Sequence, residues 1–88
     1  MIVEVKKSFN KDVAAIKDKK LAQRVKDAII NIENARTVRE IHNLKKMEGS
    51  DNAYRIRIGD YRICFYLVEH VIQLVIFAHR KEIYRYFP

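Results

Sequence analysis

The sequence predicts an α+β domain: an N-terminal strand and two antiparallel helices, then a three-stranded antiparallel meander, with the helices packed on one sheet face. Three observations carry this expectation. Apolar residues in the first half recur at helical spacing. In the second half they alternate at strand spacing, in runs separated by two-residue turns. The chain has 88 residues, 49% of them hydrophobic, with only two Gly and one Pro, which suits a single domain over residues 1–88 with short loops.

Ile2 to Val5 is β-prone and forms the first strand. Ser8 is placed to cap a helix, its hydroxyl accepting from an orphan N–H. Phe9, Val13 and Ile16 then follow at i, i+4, i+7. Asp18, Lys19 and Lys20 make a short turn, with the lysines solvated. Leu21, Val25, Ala28, Ile29, Ile32 and Ala35 form a second, longer stripe. Residues 36 to 53 are irregular and basic, with Leu44 and Met47 as apolar anchors. Three strands follow, over residues 54–58, 61–68 and 71–78. Gly59-Asp60 suits a type II′ turn, because Gly supplies the positive φ required at its first position. Glu69-His70 makes the next turn, and a short charged and aromatic tail runs from His79 to Pro88.

A net charge of +7 favours a polyanionic partner: nucleic acid, an anionic membrane surface or an acidic protein. A solvated basic surface is the plainer alternative. Residues 1–10 contain no signal-peptide-like apolar stretch, and no run approaches the roughly 20 apolar residues that span a bilayer. The one cysteine, Cys64, excludes an intrachain disulfide. The cytoplasm is the expected compartment. His42, Cys64, His70 and His79 lack metal-ligand spacing. Ser8 and Ser50 are the only serines and neither sits in a nucleophile elbow; Gly49 and Gly59 are too few for a phosphate loop. No metal or cofactor is expected.

The two-residue turn fixes a register. Ile58 faces Tyr61, Arg57 faces Arg62, Ile56 faces Ile63 and Arg55 faces Cys64. Tyr54, Ile56, Ile58, Tyr61, Ile63 and Phe65 share the core face. Arg55, Arg57, Arg62, Cys64 and Tyr66 share the other. Like charges opposed across a sheet cost up to about 1 kcal/mol, and no carboxylate lies on that face of the hairpin. Such a conflict is expected where an anion must be held; arginines splaying into water are the alternative.

Tyr54 to Arg62, the apolar hairpin after it and His79-Arg-Lys-Glu-Ile-Tyr84 together resemble the RelE/ParE superfamily of type II toxins. Leu44-Lys-Lys-Met47 resembles the segment that precedes the hairpin there. The resemblance covers the whole chain. It implies either a RelE-like endoribonuclease that cuts mRNA, with the ribosome as its expected place of action, or a ParE-like poison of DNA gyrase. A non-catalytic RNA-binding relative is a third possibility. It also implies a cognate antitoxin, and no membrane or small-molecule cofactor. The positions matching the active residues of RelE-like members are Arg55, Arg57, Arg62, Arg80 and Tyr84, which favours the nuclease branch. The best-known member has lysines in place of Arg55 and Arg57, and arginine stays protonated, so the general base is left open.

The chemistry implied is attack of the RNA 2′-OH on the adjacent phosphate without a metal, giving 2′,3′-cyclic phosphate and 5′-OH ends. Guanidinium groups pair bidentately with phosphate oxygens. Arg62 and Arg80 take that role, and Arg55, Arg57, Lys45 and Lys46 hold the RNA backbone. His79 is the candidate proton shuttle, or a surface histidine at a strand end. Tyr84 stacks on a base or moves a proton, or else packs the C-terminus.

Overall fold

A computed structural model describes residues 1–87; Pro88 lies outside the described residues. The elements are β1 (Ile2–Val5), α1 (Lys7–Ala14), α2 (Lys19–Asn34), a 3-10 turn at Val38–Glu40, β2 (Leu44–Lys46), β3 (Ala53–Ile58), β4 (Tyr61–Val68), β5 (Val71–His79) and α3 (Ile83–Tyr86). The sheet has five strands in the order β1-β5-β4-β3-β2. β1 runs parallel to β5, and the other pairs are antiparallel.

The helices form where the stripes fall, but their starts differ from expectation. Lys6, not Ser8, is the N-cap of α1. Asp18 caps α2, its carboxylate accepting from the N–H of Lys20 at 2.9 Å and of Leu21 at 3.2 Å. Lys19 and Lys20 therefore belong to the helix. Ser8 serves the sheet instead. β1 ends opposite Leu74, leaving the edge of β5 uncovered beyond it. There the Ser8 hydroxyl donates to the Val75 carbonyl, and the Asp12 carboxylate accepts from the Phe77 N–H at 3.0 Å. Two side chains one helical turn apart thus satisfy backbone groups that a strand would otherwise meet.

Phe9, Val25 and Ile32 from the helices pack on Ile56, Ile58, Ile63, Phe65, Ile72, Leu74 and Phe77 from the sheet, forming the main core on the expected face. Two elements exceed the expectation. The meander gains a fourth strand, β2, from the segment expected to be irregular, with Leu44 opposite Ile56. The tail forms α3 on the other sheet face. Ile83 and Phe87, four residues apart, are buried there with Met47, Ala53 and Cys64. One end of that face is therefore a second small core, and the rest is left to the arginines.

Candidate nucleic-acid interface

The β3–β4 hairpin has the expected register: Arg57 opposes Arg62 and Arg55 opposes Cys64. Its turn has positive φ at Gly59 (+58°) and not at Asp60, the type II′ sign pattern. β2 adds Lys45 beside Arg55, and β5 places Ala78 beside Arg62.

Arg62 does not splay into water. Its relative exposure is 9%. Nη1 donates to the Gly59 carbonyl at 2.9 Å and to the Tyr61 carbonyl at 2.8 Å, which pins the guanidinium to the hairpin turn. Nε is buried without an acceptor. Burial lowers the pKa of Arg62 from its ordinary value, and Arg55, Arg57 and Arg80 lower it further, while Tyr84 acts in the opposite direction. The other four positions singled out by the family resemblance thus all act on Arg62. The Arg80 N–H donates to the Asp60 carbonyl at 2.8 Å, tying the segment after β5 to the same turn. Its guanidinium lies 3.9 Å from the Asp60 carboxylate, with both groups well exposed, so that pair is weak. Tyr84 projects from α3 with 62% exposure. Among the described residues no ion pair involves Arg55, Arg57 or Arg62.

Cys64 lies on this face beneath α3 and is fully buried. Burial pushes its thiol up to about 12 despite the opposing pull of Arg55 and Arg62, so the nucleophilic thiolate is absent at neutral pH.

Two expected site residues lie elsewhere. His79 pairs with Tyr61 on the helix-covered face, with its ring edge-on to Tyr61 at 5.3 Å. Its Nδ1 accepts from the Lys81 N–H at 3.2 Å. The cause is a β-bulge: Cys64 pairs with Ile76 but Phe65 with Leu74, leaving Val75 extra. Continued alternation from Ile72 and Leu74 would have turned His79 towards the arginines; one inserted residue reverses it. Lys46 pairs with Tyr54, so its register places it on the core-face side of the edge strand, away from Arg55. The contribution of α3 was not foreseen. Its only signal is the four-residue spacing of Ile83 and Phe87, which anchors the helix and so places Tyr84.

A groove of about 850 Å³ lies on the helix side, lined by Asp12, Leu21, Tyr61, Phe77 and His79 among others. It is the larger concavity, but the concentrated charge is on the opposite face. No helix among the described residues is long and apolar enough to cross a membrane.

Fold and site together define a class: a small basic α+β domain whose sheet presents arginines without carboxylate partners. Residues 3–84 match the profile of the family described as ParE toxin of the type II toxin-antitoxin system, parDE. Toxin RelE3 of Methanocaldococcus jannaschii is 35% identical over 83 residues, 93% of each chain. The RelB-RelE antitoxin-toxin complex from Methanococcus jannaschii contains a chain matching with a TM-score of 0.77 and 31% identity, over 100% of both. The archaeal RelE-RelB complex from Pyrococcus horikoshii gives 0.72 and 25%, over 90% of this chain and 93% of that one. The chain belongs to the RelE/ParE family of toxins, as a RelE-type toxin of a toxin–antitoxin system.

Proposed function

We propose that this toxin is a metal-independent endoribonuclease that cuts mRNA on the ribosome, leaving 2′,3′-cyclic phosphate and 5′-OH ends. The observation that carries the reading is the convergence of Arg55, Arg57, Arg80 and Tyr84 on Arg62, which is pinned through Nη1 while its Nε lacks an acceptor. A guanidinium fixed in place beside uncompensated cations suits a phosphate whose charge grows in the transition state.

Arg62 and Arg80 would flank the scissile phosphate, and Arg55, Arg57 and Lys45 would hold the neighbouring backbone. The 2′ oxygen forms its bond to phosphorus as the bond to the 5′ oxygen breaks. The 2′-OH proton leaves to a base, and the 5′ oxygen takes up a proton. With His79 on the far face, Tyr84 is the hydroxyl at hand to donate to that leaving oxygen. The fixed guanidinium groups hold the charge in transit. Relatives occur in complexes of RelE with the antitoxin RelB, which supports a cognate antitoxin for this chain.

The ParE profile match favours a second reading, a toxin directed at DNA gyrase. Incubation with translating ribosomes and mRNA, and separately with gyrase and plasmid DNA, separates the two. Cut mRNA with normal supercoiling is expected. Intact mRNA with blocked supercoiling would transfer the assignment to gyrase.

A further inference from the structure

The row of side chains across the sheet runs from Ala78 through Arg62 to Arg57. It then meets an open edge, because β2 covers β3 only as far as Leu44 opposite Ile56. Beyond that edge, between β3 and α2, is a cavity of about 240 Å³ whose lining includes Arg57, Arg24 and His42. Arg57 borders both this cavity and the arginine face.

The rim of the cavity is held in place. The Asn31 side chain accepts from the His42 N–H at 3.0 Å, and the Asn43 carbonyl from the Arg57 N–H at 3.1 Å. Arg24 bends towards the hairpin turn: its Nη1 would stand 3.1 Å from a Cβ built on Gly59. One carboxylate, Asp27, also lines the cavity, and it accepts from Gln23 at 2.9 Å. Among the described residues neither Arg24 nor Arg57 takes part in an ion pair.

We infer that this cavity is a second phosphate subsite, which holds the RNA backbone where the strand leaves the arginine face over the edge of β3. The ligand class is a phosphodiester flanking the scissile one. The inference rests on the ribonuclease reading for its substrate. Strand-to-strand spacing is about 4.8 Å, so a chain crossing β4 and β3 reaches the cavity within a few nucleotides of Arg62. Arg24 on the helix side and Arg57 at the strand edge put cationic residues on two sides of a small concavity, with His42 at its rim, which suits one phosphate passing over that edge.

The test measures binding and cleavage of single-stranded RNA by the intact chain and by Arg24→Ala, His42→Gln and their double variant, with Lys26→Ala as an equal charge loss outside the cavity. An oligonucleotide several residues long and a dinucleotide ending just past the scissile bond serve as probes. For the long probe, the double variant should weaken binding about tenfold, lower the salt slope by about one, and leave kcat within about threefold. The dinucleotide should be cut equally by all variants, and Lys26→Ala should match wild type on both probes. Unchanged long-probe affinity in the double variant, or an equal loss with Lys26→Ala, would overturn the subsite. Binding is read separately from cleavage, so a chain that binds RNA through Arg24 and His42 but never cuts it would retain the subsite and reject the nuclease. Thermal melts identify a variant that fails to fold; Arg24→Lys, which keeps the charge and loses the planar fork, then replaces it, with an intermediate loss on the long probe expected and none overturning the subsite.

Discussion

Arg62 is a cation buried to nine-tenths, opposed by Arg57 and bordered by further guanidinium groups, so its place reflects more than packing. Arg62→Ala removes that repulsion, worth up to about 1 kcal/mol, but leaves the Gly59 and Tyr61 carbonyls without their donor. These effects oppose, so thermal melts should show little change while cleavage falls about 10²–10³-fold. Arg62→Lys should not rescue, because one ammonium cannot bond two carbonyls and still present a planar edge to phosphate. A large drop in melting temperature for Arg62→Ala would make the residue structural. Cys64 gives a pH signature. With its folded thiol held near 12 against an ordinary 9.0, only the unfolded chain ionises between those values, so stability should fall as pH rises through that window. Pulsed alkylation at pH 8 should leave Cys64 unlabelled until the chain is denatured; ready labelling of the native protein would contradict its burial.

At the scale of elements, the hairpin was legible because Gly59 and the flanking alternation fix the register together, and that register brought Arg55, Arg57 and Arg62 to one face. β2 and α3 were not legible: a three-residue strand of Leu44-Lys45-Lys46 and a four-residue helix carry almost no period, and both exist through tertiary contacts. His79 was lost to the bulge at Val75, which nothing in the local composition announces. The Glu69-His70 turn has φ of +48° and +69° at two residues that have side chains. Such backbone costs about 1 kcal/mol or more per residue, so Glu69→Asn with His70→Gly should raise the unfolding free energy by at least that amount in denaturant melts. Asp12→Ala should do the reverse. It strips the acceptor from the half-buried Phe77 N–H, at an expected cost of about 1–3 kcal/mol.

Across the whole molecule, each sheet face has a separate task. The helices cover one and give the domain its core. α3 closes part of the other and leaves Arg55, Arg57, Arg62, Arg80 and Tyr84 together beside it. The net charge of +7 favoured a polyanionic partner without placing it; only the pairing of strands concentrated that charge, and only the C-terminal segment completed the cluster. Arg80→Ala and Tyr84→Phe should therefore each leave the melt unchanged while slowing cleavage, Arg80→Ala more severely because it removes charge. The most direct measurement is end analysis of mRNA exposed on translating ribosomes to the wild-type chain and to Arg62→Ala. The expected result is internal cuts with 2′,3′-cyclic phosphate ends for the wild type, and intact mRNA for a variant that melts at the same temperature. Cleavage by Arg62→Ala at the wild-type rate, or intact mRNA with the wild type, would contradict the assignment of RNA cutting to the arginine face.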